Sequence, residues 1–186
     1  MTVNEILPFI SSAIMLAFVA VVLRQWWRRK APHMLVWGIG LSMFGVGTLM
    51  EAYFTIAWND VAFRAWYLSG AMLTAAWIGQ GSVYLLAKRP VPHVALAILV
   101  VVSLVSLYGI ATMTLDNTAA SIDLSLGERY SDIMPKTWVR SPTTIILNLY
   151  GTLALVGGAL YSAWLFWRKR VLQDRMWGNI FIATGA

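Results

Sequence analysis

The 186-residue chain contains no cysteine, which excludes disulfides, thiolate zinc sites and thiol redox chemistry. Charge is scarce as well: Asp, Glu, Lys and Arg make up 12% of the residues, against about 25% in soluble domains. No HExxH, Walker or dinucleotide-binding pattern occurs, and no two carboxylates approach each other within an apolar run. A Ser–His–Asp grouping would have to join histidines and acids on opposite sides of those runs. The chain is therefore not expected to be an enzyme.

What is present is apolar. Hydrophobic residues form 59% of the chain, in runs too long for a water-soluble core. Basic residues fall in three short stretches between them: Arg24, Arg28, Arg29 and Lys30; Lys88 and Arg89; and Arg168, Lys169, Arg170 and Arg175. The alternate connections carry Arg64, Arg129, Lys136 and Arg140 with nearly all the acidic residues. Charge that changes sides at each apolar run follows the positive-inside rule of polytopic membrane proteins. The formal charge of +6 thus serves topology and anionic headgroups, and no nucleic-acid partner is expected. Met1 to Glu5 lacks a basic residue, and the positive charge follows the first run. The start of the chain therefore reads as an anchor helix with its N-terminus outside, in the inner (plasma) membrane of the cell.

The predicted fold is an all-α transmembrane bundle forming a single domain. Spans run over about 6–23, 34–57, 65–87, 94–113 and 144–167, with an outer loop at 114–143. A sixth span starts near Met176 and reaches Ala186 about halfway across a bilayer, at ~1.5 Å per residue. Five full spans plus the start of a sixth, cut from a six- or seven-helix bundle, are expected. Trp26, Trp27, Trp58, Trp66, Trp138, Trp167 and Trp177 fall at predicted interfaces, where an indole anchors a span. Trp37, Trp77 and Trp164 lie deeper, for packing or for lining a lipophilic pocket.

Small residues mark where spans should touch, because close approach drives association in lipid. Gly38 and Gly45, and Gly40 and Gly47, are spaced to share faces of the second span. Ala71, Ala75 and Gly79 line the third span, and Ala154 and Gly158 the fifth. The second, third and fifth spans should form the inner bundle; the aliphatic fourth should face lipid or a partner.

Glu51 is the most informative polar residue, placed about six residues inside the second span. Thr74 and Asn148 fall at similar depth, with Tyr67 nearer the surface. An intramembrane carboxylate is costly and usually has a partner. Two readings stay open: a clamp between Glu51 and Arg64, or a polar pocket open to the outer face that binds a small ligand or passes a proton. Gln80 should bond between helices. His33 and His93 each follow proline at a helix start, which is ordinary helix-start chemistry; metal ligation by either is a weaker alternative. No cofactor is required, although a bound lipid or pigment is compatible. In the loop, among Asp116, Asp123, Glu128, Arg129, Asp132, Lys136 and Arg140, the apolar residues of Ile122 to Leu126, with Tyr130, Ile133 and Trp138, should lie on the outer membrane face or a neighbour, as a partner contact or a lid.

Several stretches together carry a resemblance: Trp26-Trp27-Arg28-Arg29-Lys30, Gly47-Thr48-Leu49-Met50-Glu51-Ala52, Phe63-Arg64-Ala65-Trp66-Tyr67-Leu68, and the long loop before a Tyr/Leu/Gly-rich fifth span. Their order resembles the seven-helix N-terminal membrane region of certain bacterial sensor histidine kinases, which implies a seven-helix bundle with its N-terminus outside. No output domain lies within the 186 residues. Three functions follow in order: a non-catalytic accessory subunit of a larger membrane complex, a sensory input module with a ligand pocket near Glu51, and a small carrier or proton-linked transporter.

Overall fold

The computed structural model describes residues 3–116, 126–137, 140–169 and 173–185. Among them the chain is helical throughout, with short connections and no strand. Ile122, Asp123, Trp138 and Arg170 lie outside the described residues, as do the side chains of Glu128, Arg129 and Arg175. Four helices are long and apolar enough to cross a membrane: Ile6–Arg29, Pro32–Phe54, Val91–Thr112 and Ser141–Arg168.

Helix α1 (Val3–Arg29) continues past the predicted end at Leu23 through the tryptophans and arginines. Those residues tolerate helix well, and cations are favoured in a last turn. The stop is Lys30, which takes the left-handed conformation at φ 51° and donates its N–H to the Trp26 carbonyl at 2.7 Å. Its ammonium covers the Trp27 ring at 4.1 Å. Pro32 then opens α2 (Pro32–Phe54).

The two glycine pairs of α2 serve two neighbours. Gly38 and Gly45 turn toward Leu23 and Met15 of α1, whereas Gly40 and Gly47 turn toward the next span. A Cβ on Gly47 would stand 2.8 Å from the Cα of Gly70, a main-chain approach that only glycine allows. Gly45 needs no such allowance, since its nearest neighbour would be 3.9 Å away.

Helix α2 ends at Phe54, earlier than the predicted Ala57. Asn59 accounts for the difference: its side chain accepts from the N–H groups of Val61 at 2.9 Å and Ala62 at 3.1 Å. This caps a new helix at Asp60. The third apolar stretch is not one regular helix. It comprises α3 (Asp60–Trp66), a π-helical turn (Tyr67–Leu73) and α4 (Thr74–Leu86).

Helix α5 (Val91–Thr112) follows, then a short α6 (Leu126–Ile133), α7 (Ser141–Lys169) and α8 (Gln173–Gly185). Helix α4 is the hub, packing on α2 and α7; α1 adds to α2, and α8 to α7. This is the inner bundle expected from the small residues. At its tightest crossing, a Cβ on Gly151 of α7 would lie 2.2 Å from the Ala75 carbonyl of α4.

Helix α5 is held differently. It meets α4 and the π turn only lightly, and most of its aliphatic side chains are exposed, as expected for the fourth span. Four side chains of the third stretch fasten it, among them Tyr84, whose Oη lies 2.9 Å from His93 Nδ1. Arg64 donates to the Ile110 carbonyl, Trp77 Nε1 to Ser103 Oγ at 3.2 Å, and Gln80 Nε2 to the Pro92 carbonyl at 2.7 Å. Polar rungs replace the small-residue contacts that this glycine-poor helix lacks.

The end of the bundle remote from the basic stretches is capped. Ile133 and Met134 are buried in the core, and the Asp116 N–H donates to the Ile133 carbonyl at 2.8 Å. Arg140, 3% exposed, donates to the Met134 carbonyl and stacks over Tyr130, which packs on Tyr67 at 5.7 Å. Of the apolar loop residues, Tyr130 and Ile133 thus turn inward against the bundle, whereas the side chains of 122–126 and 138 lie outside the described residues.

Candidate functional site

Three of the polar residues singled out by sequence converge on the π turn. Its widened ladder bonds Thr74 N–H to the Ser69 carbonyl five residues back, and Thr74 Oγ1 donates to the same carbonyl at 2.6 Å. Asn148 Nδ2 on α7 donates to the Ala71 carbonyl at 2.9 Å. Tyr67 Oη lies 3.1 Å from Thr144 Oγ1, also on α7. Side chains therefore satisfy backbone groups loosened by the change in winding, as a helix in an apolar setting requires.

Arg64 and Glu51 do not join this cluster or each other. The Arg64 guanidinium is spent on Ile110 across α5. Glu51 is exposed, one turn from the end of α2, and makes no hydrogen bond or ion pair with any described residue. The clamp is not formed: Arg64 is taken up by the Ile110 carbonyl, and Glu51, near the end of an α2 that stops at Phe54, has no such partner among the described residues.

An open crevice of about 480 Å³ lies beside the π turn, between α2, α4, α7 and α8. Phe44, Thr74, Ile78, Gly151, Leu155 and Phe181 line it. Its volume is within the ~300–1,000 Å³ range of small-molecule sites. Thr74 belongs to both the crevice wall and the π-turn hydrogen bonds, so an occupant would touch the residue that closes the turn. Glu51 stands seven residues beyond Phe44 on α2. Two helical turns place both on one face, with ~10 Å of rise between them.

The remaining candidates make packing and hydrogen-bond contacts within the bundle. Gln80 is fully buried and satisfied, giving a bond to Pro92 and accepting one from Tyr150 Oη. Trp37 donates to the Ile78 carbonyl at 3.1 Å, and its ring fills the space that a Cβ on Gly81 would need. His33 packs edge-on against Trp37 at 5.3 Å, and His93 Nδ1 lies 2.9 Å from Tyr84 Oη. Among the helix-packing residues, Gly79 and Ala154 meet at the α4–α7 crossing, Ala75 meets Gly151, and Gly158 faces Leu86 and Ser82. Ala71 contributes its carbonyl to Asn148.

Sequence reasoning missed the π turn, the part played by Gly151 and the crevice itself. The Ser69-Gly70 pair inside the third span was the one available signal of irregular winding. No family model, curated protein or solved structure matches the chain.

Proposed function

We propose that this chain is a non-catalytic multi-pass membrane protein that works as a ligand-binding input module, with the crevice below Glu51 as its site. Five full spans, α3 through α4 counting as one, would sit in a bacterial inner membrane with the N-terminus outside, and α8 would pack beside α7. The observation that carries the reading is the shared residue, Thr74, which lines the crevice and closes the π turn. An occupant pressing on Thr74 would bias how the turn is wound. That winding sets the positions of Tyr67 and Ala71 against α7, giving binding a route to the rest of the bundle.

Gentle detergent extraction, a native gel and mass spectrometry of solvent-extracted small molecules test this. A band of monomer or dimer size that retains a bound compound is expected, with the compound lost in Leu155→Trp, which fills the crevice. An empty wild-type band would contradict the reading.

The accessory-subunit reading is supported by α5, whose exposed aliphatic face, from Val94 to Tyr108, is free to take a neighbouring chain. Co-migration with a large complex, lost on polar substitution along that face, is its expected signature.

A further inference from the structure

The crevice and Glu51 differ in chemistry yet occupy one face of α2. The crevice is walled by aromatic, aliphatic and glycine surface, with the threonines Thr74 and Thr152 as its polar side chains. It is open and bounded in part by the membrane-length helices α2 and α7, so in a bilayer its contents would exchange with lipid. Above it, one turn from the helix end, stands a carboxylate with no cation beside it among the described residues. A group at that height meets lipid headgroups, while the crevice two turns deeper meets acyl chains.

We propose that this site takes one membrane phospholipid bearing a primary amine, its acyl chain in the crevice and its ammonium on Glu51. An ammonium offers three N–H donors to a carboxylate acceptor. A quaternary ammonium carries the same charge but no N–H, and an anionic headgroup is repelled by Glu51. The predicted order of preference is therefore ethanolamine over choline over glycerol headgroups. The assignment rests on the crevice being the ligand site and on α2 ending in the outer leaflet.

Native mass spectrometry of the purified full chain, delipidated and titrated with matched-chain phosphatidylethanolamine, phosphatidylcholine and phosphatidylglycerol, tests it. Wild type is expected to retain one phosphatidylethanolamine roughly tenfold better than phosphatidylcholine, the strength of one charge-assisted hydrogen bond. Glu51→Gln should bring the two lipids level while keeping one bound. Leu155→Trp should abolish retention of all three.

Equal retention of phosphatidylethanolamine and phosphatidylcholine by wild type overturns the amine assignment, and needs no variant to fold. If Leu155→Trp still prevents retention in that case, the crevice remains the ligand site. Retention unchanged in Leu155→Trp removes the crevice reading itself. A lipid-free dimer would give the crevice to a second copy and overturn the proposal.

Discussion

Glu51 and Arg64 show how a local boundary decides what a side chain can do. Had α2 run on to Ala57, the carboxylate would lie deeper, where an unpaired charge costs ~2.5–3.5 kcal/mol on insertion scales. The Asn59 cap ends the helix sooner, and Arg64 finds the Ile110 carbonyl instead. Their contributions to stability should therefore be independent. Arg64→Gln is expected to lower the melting temperature in detergent by removing a rung to α5. Glu51→Gln should change stability by less than about 0.5 kcal/mol, as at an exposed site. The double variant should equal the sum within about 0.5 kcal/mol; a coupling above about 1 kcal/mol would restore the clamp.

Between elements, close approach and polar fastening divide the work. Helices α2, α4 and α7 touch through glycine and alanine, while α5 is tied on by Arg64, Trp77, Gln80 and Tyr84. Two glycines of α7 separate packing from propensity. Gly151 lies against the Ala75 backbone, so Gly151→Ala should force the helices apart at a cost of about 1–3 kcal/mol. Nothing lies within 4 Å of a Cβ on Gly157. Gly157→Ala should leave the melting temperature unchanged or raise it slightly, since alanine favours helix by up to ~1 kcal/mol. Thermal melts of both variants check the contrast; equal losses would contradict the crossing geometry.

At the scale of the whole molecule, the four membrane-length helices were legible because hydropathy and basic punctuation are read from composition alone, whereas the short polar α6 inside the expected loop was not. The inner bundle was legible because small residues at Gly40, Gly47, Ala75 and Gly79 have a spacing that survives any detail of packing. The π turn was not, since widening the ladder from four residues to five between Tyr67 and Leu73 leaves hydropathy unchanged. The partners of Arg64, Gln80 and Asn148 were hidden for another reason: each donates to a main-chain carbonyl, and an acceptor common to every residue leaves no trace in sequence. Tyr67, Thr74 and Asn148 could be singled out as polar residues in apolar runs. The crevice could not, because its walls come from four separate helices.

The orientation of the bundle underlies both the crevice and its ligand, because Glu51 must face the outer leaflet. The absence of cysteine makes this directly measurable by placing single cysteines in a silent background. Thr114→Cys lies at the capped end, and Ala31→Cys and Ala87→Cys lie at the basic end. Labelling with a membrane-impermeant maleimide in intact cells should reach Thr114→Cys alone, with the other two reacting only after permeabilisation. Labelling of Ala31→Cys and Ala87→Cys in intact cells, with Thr114→Cys protected, would invert the bundle and contradict the placement of the Glu51 site.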